Sequence, residues 1–464
     1  MRDKYLKFIA HLSKKYSRSF GNVWWYSLLH EKNSAGKSRA YHNLCKGIEP
    51  KHFNIWIAFC LGIKKLLVLF IRHFIFRKGY KKHTGQENIF ISYSQEFLYP
   101  FNDSDGLWIL LPQMNKWRED RGKLVVDNFI SLNDLFRLFG KYLSLLPWHL
   151  YYVSKLKKEF AETVCHSNSI FAYSYFKEEI LRSFFGDVLV EGLFYEIAFK
   201  NIRNRYKNPE TKKIVYPYEG QHWEKALCIA FTYSQIELIS ILCTPPVTGM
   251  LNYWYDREEA DLMPKPDRIG VLGSVTYYWF KKMYGDRVFI AGPMRFRYIE
   301  NLLIEEIKEV KESYKYLFVI LPSVKEYADE LLDFVTKINH DYIVVKPHPD
   351  YMGIKLHKKY SVYYGEDIEY YLRRSIAVIS IDSSVSFMAA TMGVPVIVPE
   401  LKSIVSLNPL NDFGGEVIPI DDSYAFDAAL RDLSNGTYEN LKEVNKDFVR
   451  KYFRFDKNER EEVL

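Results

Sequence analysis

Cysteine is scarce in this chain. Five residues, Cys45, Cys60, Cys165, Cys228 and Cys243, are scattered over 464 positions without a CxxC pair. An odd number cannot all be bridged internally, so a disulfide framework is excluded and a reducing compartment is expected. Long uncharged apolar runs are also missing. The most apolar stretch, Phe53 to Phe76, is interrupted by Lys64, Lys65 and Arg72, which leaves no run of the ~20 residues that a transmembrane helix needs. The start, MRDKYLKFIAHLSKKYSR, carries charges inside its short apolar stretches and no small-residue cleavage site, so it does not read as a secretory signal. The strand-helix junctions hold neither GxGxxG nor GxxxxGK[ST], and there is no HExxH, no CxxC set and no DxD between strand residues. Dinucleotide and P-loop chemistry are therefore not expected, and neither a metal nor a cofactor is implied. No repeat array or low-complexity tract is present.

What the chain does have is core material. Its 464 residues predict roughly two to three domains. A hydrophobic share of 48% with 26% charged residues is a globular balance that excludes global disorder. The 36 Tyr and 32 Phe run evenly along the chain and read mostly as core. Charge, by contrast, is uneven. Residues 1–85 carry 18 Lys and Arg against 3 Asp and Glu, a surplus of +15 that leaves the remainder at −8 of the +7 total. A basic arm before a mildly acidic body points to a polyanionic surface, either anionic lipid or nucleic acid, as partner of the arm. Phe53–Phe76, with basic flanks and no acid from Pro50 to Gln86, reads either as a helix in the headgroup layer of a membrane or as a core helix with outward-reaching lysines. Nucleic acid is disfavoured because the arm is apolar and no reader motif appears.

From Glu87 the pattern alternates short β-rich runs with helical stretches, the signature of α/β layers on parallel sheets. The first series predicts strands at 88–94, 123–131, 212–219, 238–243, 268–273 and 287–292, with helices at 107–120 and 222–233 and a long helical stretch from Tyr142 to Tyr206. A charged helical link, Ile299 to Lys315, leads to the second. There, strands at 316–322, 341–349, 376–382 and 394–400 alternate with helices at 324–338, 366–375 and 384–393. A last helix is expected near Asn440 to Tyr452.

Three features of the second series carry chemistry. VVKPHPD sets Lys346 and His348 between rigid prolines at a strand end, and IDSSVSFMAATMG sets Ser383 and Ser384 where a strand turns into a helix. Hydroxyls and free amides at such a turn suit an anion. Two phosphate-facing turns at successive strand ends would share one sheet edge, where ligands of parallel sheets bind. In the first series, VYPYEGQHWEKALCIAF ends a strand at Glu219 before a Gly-Gln turn. A carboxylate there would project into the cleft as a base for an acceptor hydroxyl, or would instead cap the helix or pair with Lys225. Glu224 reads as a helix-face residue or a support for Glu219. Asp103 and Asp105 before Gly106 form a weaker acid site, more simply a helix cap. Arg295 and Arg297, after another strand, offer a guanidinium for a ligand carboxylate or are plain surface arginines, and Glu366 and Asp367 either cap the following helix or meet the ligand.

The KPHP loop, the Asp-Ser-Ser turn and the trailing A-x-x-x-G-x-P-V-I resemble the nucleotide domain of GT-B glycosyltransferases of bacterial surface polysaccharides, most of all those using CMP-activated acidic sugars, the polysialyltransferase-like and Kdo transferases. The Y-E-x-Q-x-W-E-K-A segment is similar to one in surface-carbohydrate synthesis proteins. The resemblance runs from Glu87 to about Pro419, strongly over 316–400, and the acid-acid-glycine motif of several CMP-sialic acid transferases is broken here by Ser104. It implies two Rossmann-like doubly wound domains facing a cleft: an acceptor domain at 87–298 and a nucleotide-sugar domain at 299–464, after a basic, mainly helical extension at 1–86. It also implies a metal-independent transferase at the inner face of the cytoplasmic membrane. The CMP donor would meet Lys346, His348, Ser383, Ser384 and Arg295, with Glu219 catalytic and a surface polysaccharide or lipid-linked glycan as acceptor. A CDP-polyol phosphotransferase of teichoic-acid type and a non-catalytic scaffold are the alternatives.

Overall fold

The computed structural model describes residues 2–29, 43–48, 52–76, 88–92, 108–110, 126–167, 173–206, 212–293, 296–304, 316–322, 324–348, 360–363, 365, 367–402, 407–435 and 441–454. Twelve strands form two six-stranded sheets among these residues. The first holds β1 (Asn88–Ser92), β2 (Trp108–Leu110), β3 (Lys213–Tyr218), β4 (Glu237–Leu242), β5 (Arg268–Val271) and β6 (Val288–Ile290), in the order β2-β1-β3-β4-β5-β6. All its neighbours are parallel except β1 and β2. The second holds β7 (Tyr316–Ile320), β8 (Ile343–Lys346), β9 (Tyr360–Val362), β10 (Ser375–Ser380), β11 (Val396–Pro399) and β12 (Ile418–Ile420), parallel throughout in the order β12-β11-β10-β7-β8-β9.

The strand sequences explain the burial. KIVYPY, ELISIL and SIAVIS are near-continuous apolar runs, as parallel strands covered on both faces must be. In the second sheet the chain builds outward from β7 to β9, returns to β10 on the other side of β7, and builds outward again. Such a reversal opens a crevice at the carboxyl ends of the two strands that flank it. The α/β architecture expected of a GT-B fold, two parallel-sheet units with a helical N-terminal region, is present.

Two local expectations are corrected. Within 107–120, Trp108–Leu110 is a strand antiparallel to β1, with Ile109 opposite Ile91, rather than helix. A short apolar run fits either structure by periodicity, and pairing with the sheet edge selects the strand. Within 123–131, Val126–Phe129 is a 3-10 turn rather than a strand. Its buried Asp127 takes the Arg72 guanidinium at 2.6 Å, and meeting that charge outweighs the β-branched signal. Strands β9 and β12 were missed because three residues give no period to read.

The basic segment is no detached arm where it is described. Helices Arg2–Phe20, Asn22–Tyr26 and Ile55–Phe76 share one core with helices Leu132–Ser167, Tyr173–Phe185 and Asp187–Arg205. Phe20 stacks on Phe184 at 4.1 Å, Trp24 Nε1 donates to Ser13 Oγ at 3.1 Å, and the Tyr26 hydroxyl donates to Glu196 at 2.9 Å. Body acids meet the arm's cations: Glu159 takes Lys15 beside the His11 ring, Glu191 takes Lys65, and Glu400 takes Lys46.

The last helix, Leu441–Tyr452, follows the second sheet in the chain yet also packs on the first unit. Ser274 Oγ donates to the Lys451 carbonyl at 2.8 Å, Arg454 N to the Leu272 carbonyl at 2.9 Å and the Tyr452 hydroxyl to the Pro246 carbonyl at 3.3 Å. Gly273 makes that approach possible, since a Cβ there would run into the Tyr452 carbonyl. Gly273→Ala must therefore displace backbone, and is expected to lower stability by about 1–3 kcal/mol. Urea denaturation measures this; an unchanged midpoint would show that the crossing helix yields freely.

Candidate active site

The residues singled out in the second series meet at the sheet reversal. Burial of Ile343, Val344 and Val345 fixes β8 in the sheet, and Lys346, its last residue, is left half-buried at the edge. Its ammonium has no hydrogen-bond or ion-pair partner among the described residues, and desolvation holds its pKa below the ordinary lysine value. On β10's side, Ser380 Oγ accepts from Ser383 N at 3.3 Å and Ser383 Oγ accepts from Val385 N at 3.2 Å. Accepting that bond leaves the Ser383 hydroxyl hydrogen to donate outward. Ser384 caps helix Val385–Thr391 by position only, for its hydroxyl makes no capping bond. That helix has just seven residues, so its terminus adds little beside the Lys346 charge at this edge.

Lys346, His348, Asp382, Ser383 and Ser384 line one cleft of about 190 Å³, opposite Thr244, Pro245, Val247 and Met250 of the first unit. Both expected turns thus face one cavity. A clamp that the sequence reading missed holds the serine turn. Buried Asn408 donates through Nδ2 to the Ser380 carbonyl and to Ser386 Oγ, each at 3.1 Å, while its Oδ1 accepts from Leu410 N at 3.1 Å. Asn before Pro at a helix start was the available signal. Thr244 was missed as well, since it follows a strand end but carries no local motif of its own, and Asp382, though part of the Asp-Ser-Ser turn, was given no role.

Glu219 sits differently from expectation. It lies one hydrogen bond behind the wall instead of on it: its Oε1 accepts from cleft-lining Thr244 Oγ1 at 3.0 Å and its Oε2 from Gln221 Nε2 at 2.9 Å. Neither capping nor pairing with Lys225 occupies it. The cap is Glu224, whose buried carboxylate accepts from the amides of Glu219, Gly220 and Gln221 at 2.8, 3.0 and 3.2 Å. Lys225 instead donates to the Gly220 carbonyl at 3.1 Å. Gly220 is required twice over, by its φ of +71° and because a Cβ would stand 2.6 Å from the Asn252 carbonyl oxygen. Burial pushes the Glu224 pKa up to about 7, against the opposing pull of Lys225 and the backbone bonds.

Arg295, Glu366, Asp103 and Asp105 lie outside the described residues. Asp367 caps helix Ile368–Arg373 by accepting from Glu369 N at 3.0 Å. No group of three His, Cys, Asp or Glu that would hold a metal ion occurs among the described residues.

No protein-family model matches the chain, and a search of curated proteins finds no match. Solved structures that it resembles include CalG4, the calicheamicin glycosyltransferase, at 12% identity over 59% of this chain and 78% of that one with a TM-score of 0.39. HepE of Anabaena in complex with UDP gives 9%, 57%, 80% and 0.38, and the UDP-GlcNAc 2-epimerase of Methanocaldococcus jannaschii 12%, 56%, 81% and 0.34. At these values the likeness is one of outline and carries nothing about the site, which is read from its own residues.

Two outcomes follow from the supports. Asn408→Ala strands the Ser380 carbonyl and the Leu410 amide, with an expected loss of about 1–3 kcal/mol in urea denaturation. A raised Glu224 pKa means that the folded chain holds this proton more tightly than the unfolded one, so stability falls as pH rises from the ordinary value of 4.5 to about 7. The stability of the wild type minus that of Glu224→Gln should decline across that window and level off above it; a flat or rising difference would show a carboxylate ionised throughout.

Proposed function

We propose that this chain is a glycosyltransferase that moves an acidic sugar, sialic-acid-like or Kdo-like, from a CMP-activated donor to a surface polysaccharide or lipid-linked glycan. What supports this most is the Lys346 ammonium, half-buried and without a counterion among the described residues at the sheet reversal, in a cleft shared with His348 and the serine turn. A desolvated cation favours an anionic ligand, and a nucleotide phosphate fits an edge that also offers hydroxyl donors.

In this reading the donor's bond between the anomeric carbon and the phosphate oxygen breaks, and the electron pair leaves with CMP. Lys346, His348 and the Ser383 and Ser384 hydroxyls stabilise the charge that grows on the phosphate, a role filled without a metal. The acceptor oxygen forms the new bond to the anomeric carbon and gives its proton to the Thr244 hydroxyl, which passes its own to the Glu219 carboxylate that it already bonds at 3.0 Å. Glu224, through the three amides that it caps, fixes where Glu219 stands.

Thermal shift with CMP, CDP, UDP and GDP tests the donor. CMP at a hundred times its Kd should raise stability by about 2.7 kcal/mol, and Lys346→Ala and His348→Ala should remove most of that rise. A preference for UDP or GDP would overturn the CMP assignment, and no response to any nucleotide would overturn the enzyme reading. Glu219→Gln should keep the CMP response while kcat falls by about 10²–10⁴, and a chelator should leave turnover unchanged. Phosphorus retained in the product would mark a polyol-phosphate transfer instead.

A further inference from the structure

Helix Ile55–Phe76 carries two apolar stripes. The inner one, including Ala58, Leu66 and Leu69, is buried in the body. The outer one, Leu67, Ile71 and Phe74, is 59, 59 and 61% exposed at spacings of four and three. Helix Leu132–Ser167 repeats the arrangement: Leu135, Leu138 and Tyr142 are buried, while Phe136, Phe139 and Leu143 are exposed. The helices lie side by side, with Phe70 against Phe136 at 5.6 Å and Phe59 stacked on Tyr142 at 6.2 Å, so the two outer stripes adjoin. Apolar stripes of this length rarely face water in a protein without a partner for them.

Charge identifies the partner. No Asp or Glu occurs from Ile55 to Phe76 or from Leu135 to Lys158. The cations on these helices divide by position. Lys65 and Arg72 pair inward with Glu191 and Asp127, whereas Lys64, Lys157 and Lys158 are exposed and Arg137 is 80% exposed. Trp56 and Trp148 are 74 and 51% exposed, and amphipathic rings of this kind settle at the headgroup level.

We propose that the joint outer face of helices Ile55–Phe76 and Leu132–Ser167 seats this protein on a bilayer surface rich in anionic lipid. The apolar stripes sit among the upper acyl chains and the surrounding lysines meet the headgroups, with neither helix crossing the membrane. Indeed, none among the described residues is long and apolar enough to do so. The first helix also connects to the candidate site, since Glu191 takes Lys65 at 3.0 Å and lies 3.9 Å from His222, the first residue of the helix after Glu219. The nucleotide reading is not a premise of this proposal.

Co-sedimentation with phosphatidylcholine vesicles, with and without one third phosphatidylglycerol, tests it. The full chain should pellet with the anionic vesicles and be released as salt is raised. Leu67→Glu with Leu143→Glu should weaken binding by about tenfold or more with an unchanged melting temperature, because neither side chain is buried. Brominated lipid should quench the wild-type tryptophan fluorescence, and Trp56→Phe with Trp148→Phe should abolish that quenching, which keeps the proposal testable if the charged variant misfolds. Failure of the wild type to pellet with anionic vesicles at low salt would overturn the proposal, as would a stable dimer dissociated by the same glutamates, which would mark the face as a contact between copies. CMP binding is unaffected by either result, so this proposal and the nucleotide reading fail separately.

Discussion

A lysine ammonium held partly out of water without a counterion is an unfavourable arrangement, and among the described residues the second sheet keeps one. Lys346 ends a strand whose three preceding residues are buried and whose neighbours on both sides are parallel strands, so the backbone cannot swing the side chain away. Long side chains usually relieve such strain by extending into solvent; here desolvation lowers the pKa of a group that keeps no partner among the described residues. An arrangement of this kind is stable enough to persist because the sheet's apolar burial is far larger than one desolvation cost. It leaves a local deficit that an anion removes. The functional reading rests on that imbalance.

The deficit matters only if the opposite wall is fixed, and several contacts fix it. Loop 244–250 of the first unit, which forms that wall, is held by the Trp254 Nε1 bond to the Val247 carbonyl at 2.7 Å, by Thr248 N on the Asp412 carboxylate and by the Tyr452 hydroxyl on the Pro246 carbonyl. The last two come from the second half of the chain. Burial raises the Asp412 pKa, opposed by the Thr248 bond, so this carboxylate too depends on its partner across the cleft. The two units are therefore tied at the cleft itself as well as by the crossing helix, and a ligand between them meets a preformed wall.

Most of the architecture was legible because parallel strands buried on both faces announce themselves as apolar runs, and nine of the twelve strands did so. The failures have physical causes. Residues 108–110 are too few to show a period, and Asp127 in the 3-10 turn answers to Arg72 on a helix fifty-five positions earlier, a demand that no local window contains. The cleft residues Lys346, His348, Ser383 and Ser384 were legible because strand ends place them. Glu219 was expected on the cleft wall and stands one step behind it, because the Thr244 in front of it belongs to the next strand's loop. Asn408 had a local signature, yet its role in gripping the serine turn depends on a fold that brings residues 380 and 408 together.

The charge pattern of the N-terminal region looked like a single property and is two. A surplus of +15 over residues 1–85 reads as an attraction to some outside polyanion, but in the folded chain part of it meets acids of the body, which is why a body of opposite net charge can accept the basic helices Arg2–Phe20 and Ile55–Phe76 into its core. What remains outward on helix Ile55–Phe76 adjoins a second helix, Leu132–Ser167, whose acid-free stretch was invisible in the overall charge because its own flanks are acidic. Net charge by segment thus overstates the arm and understates the face. The distinction lies in which cations have inward partners, and only tertiary structure separates Lys65 and Arg72, which do, from Lys64, which does not.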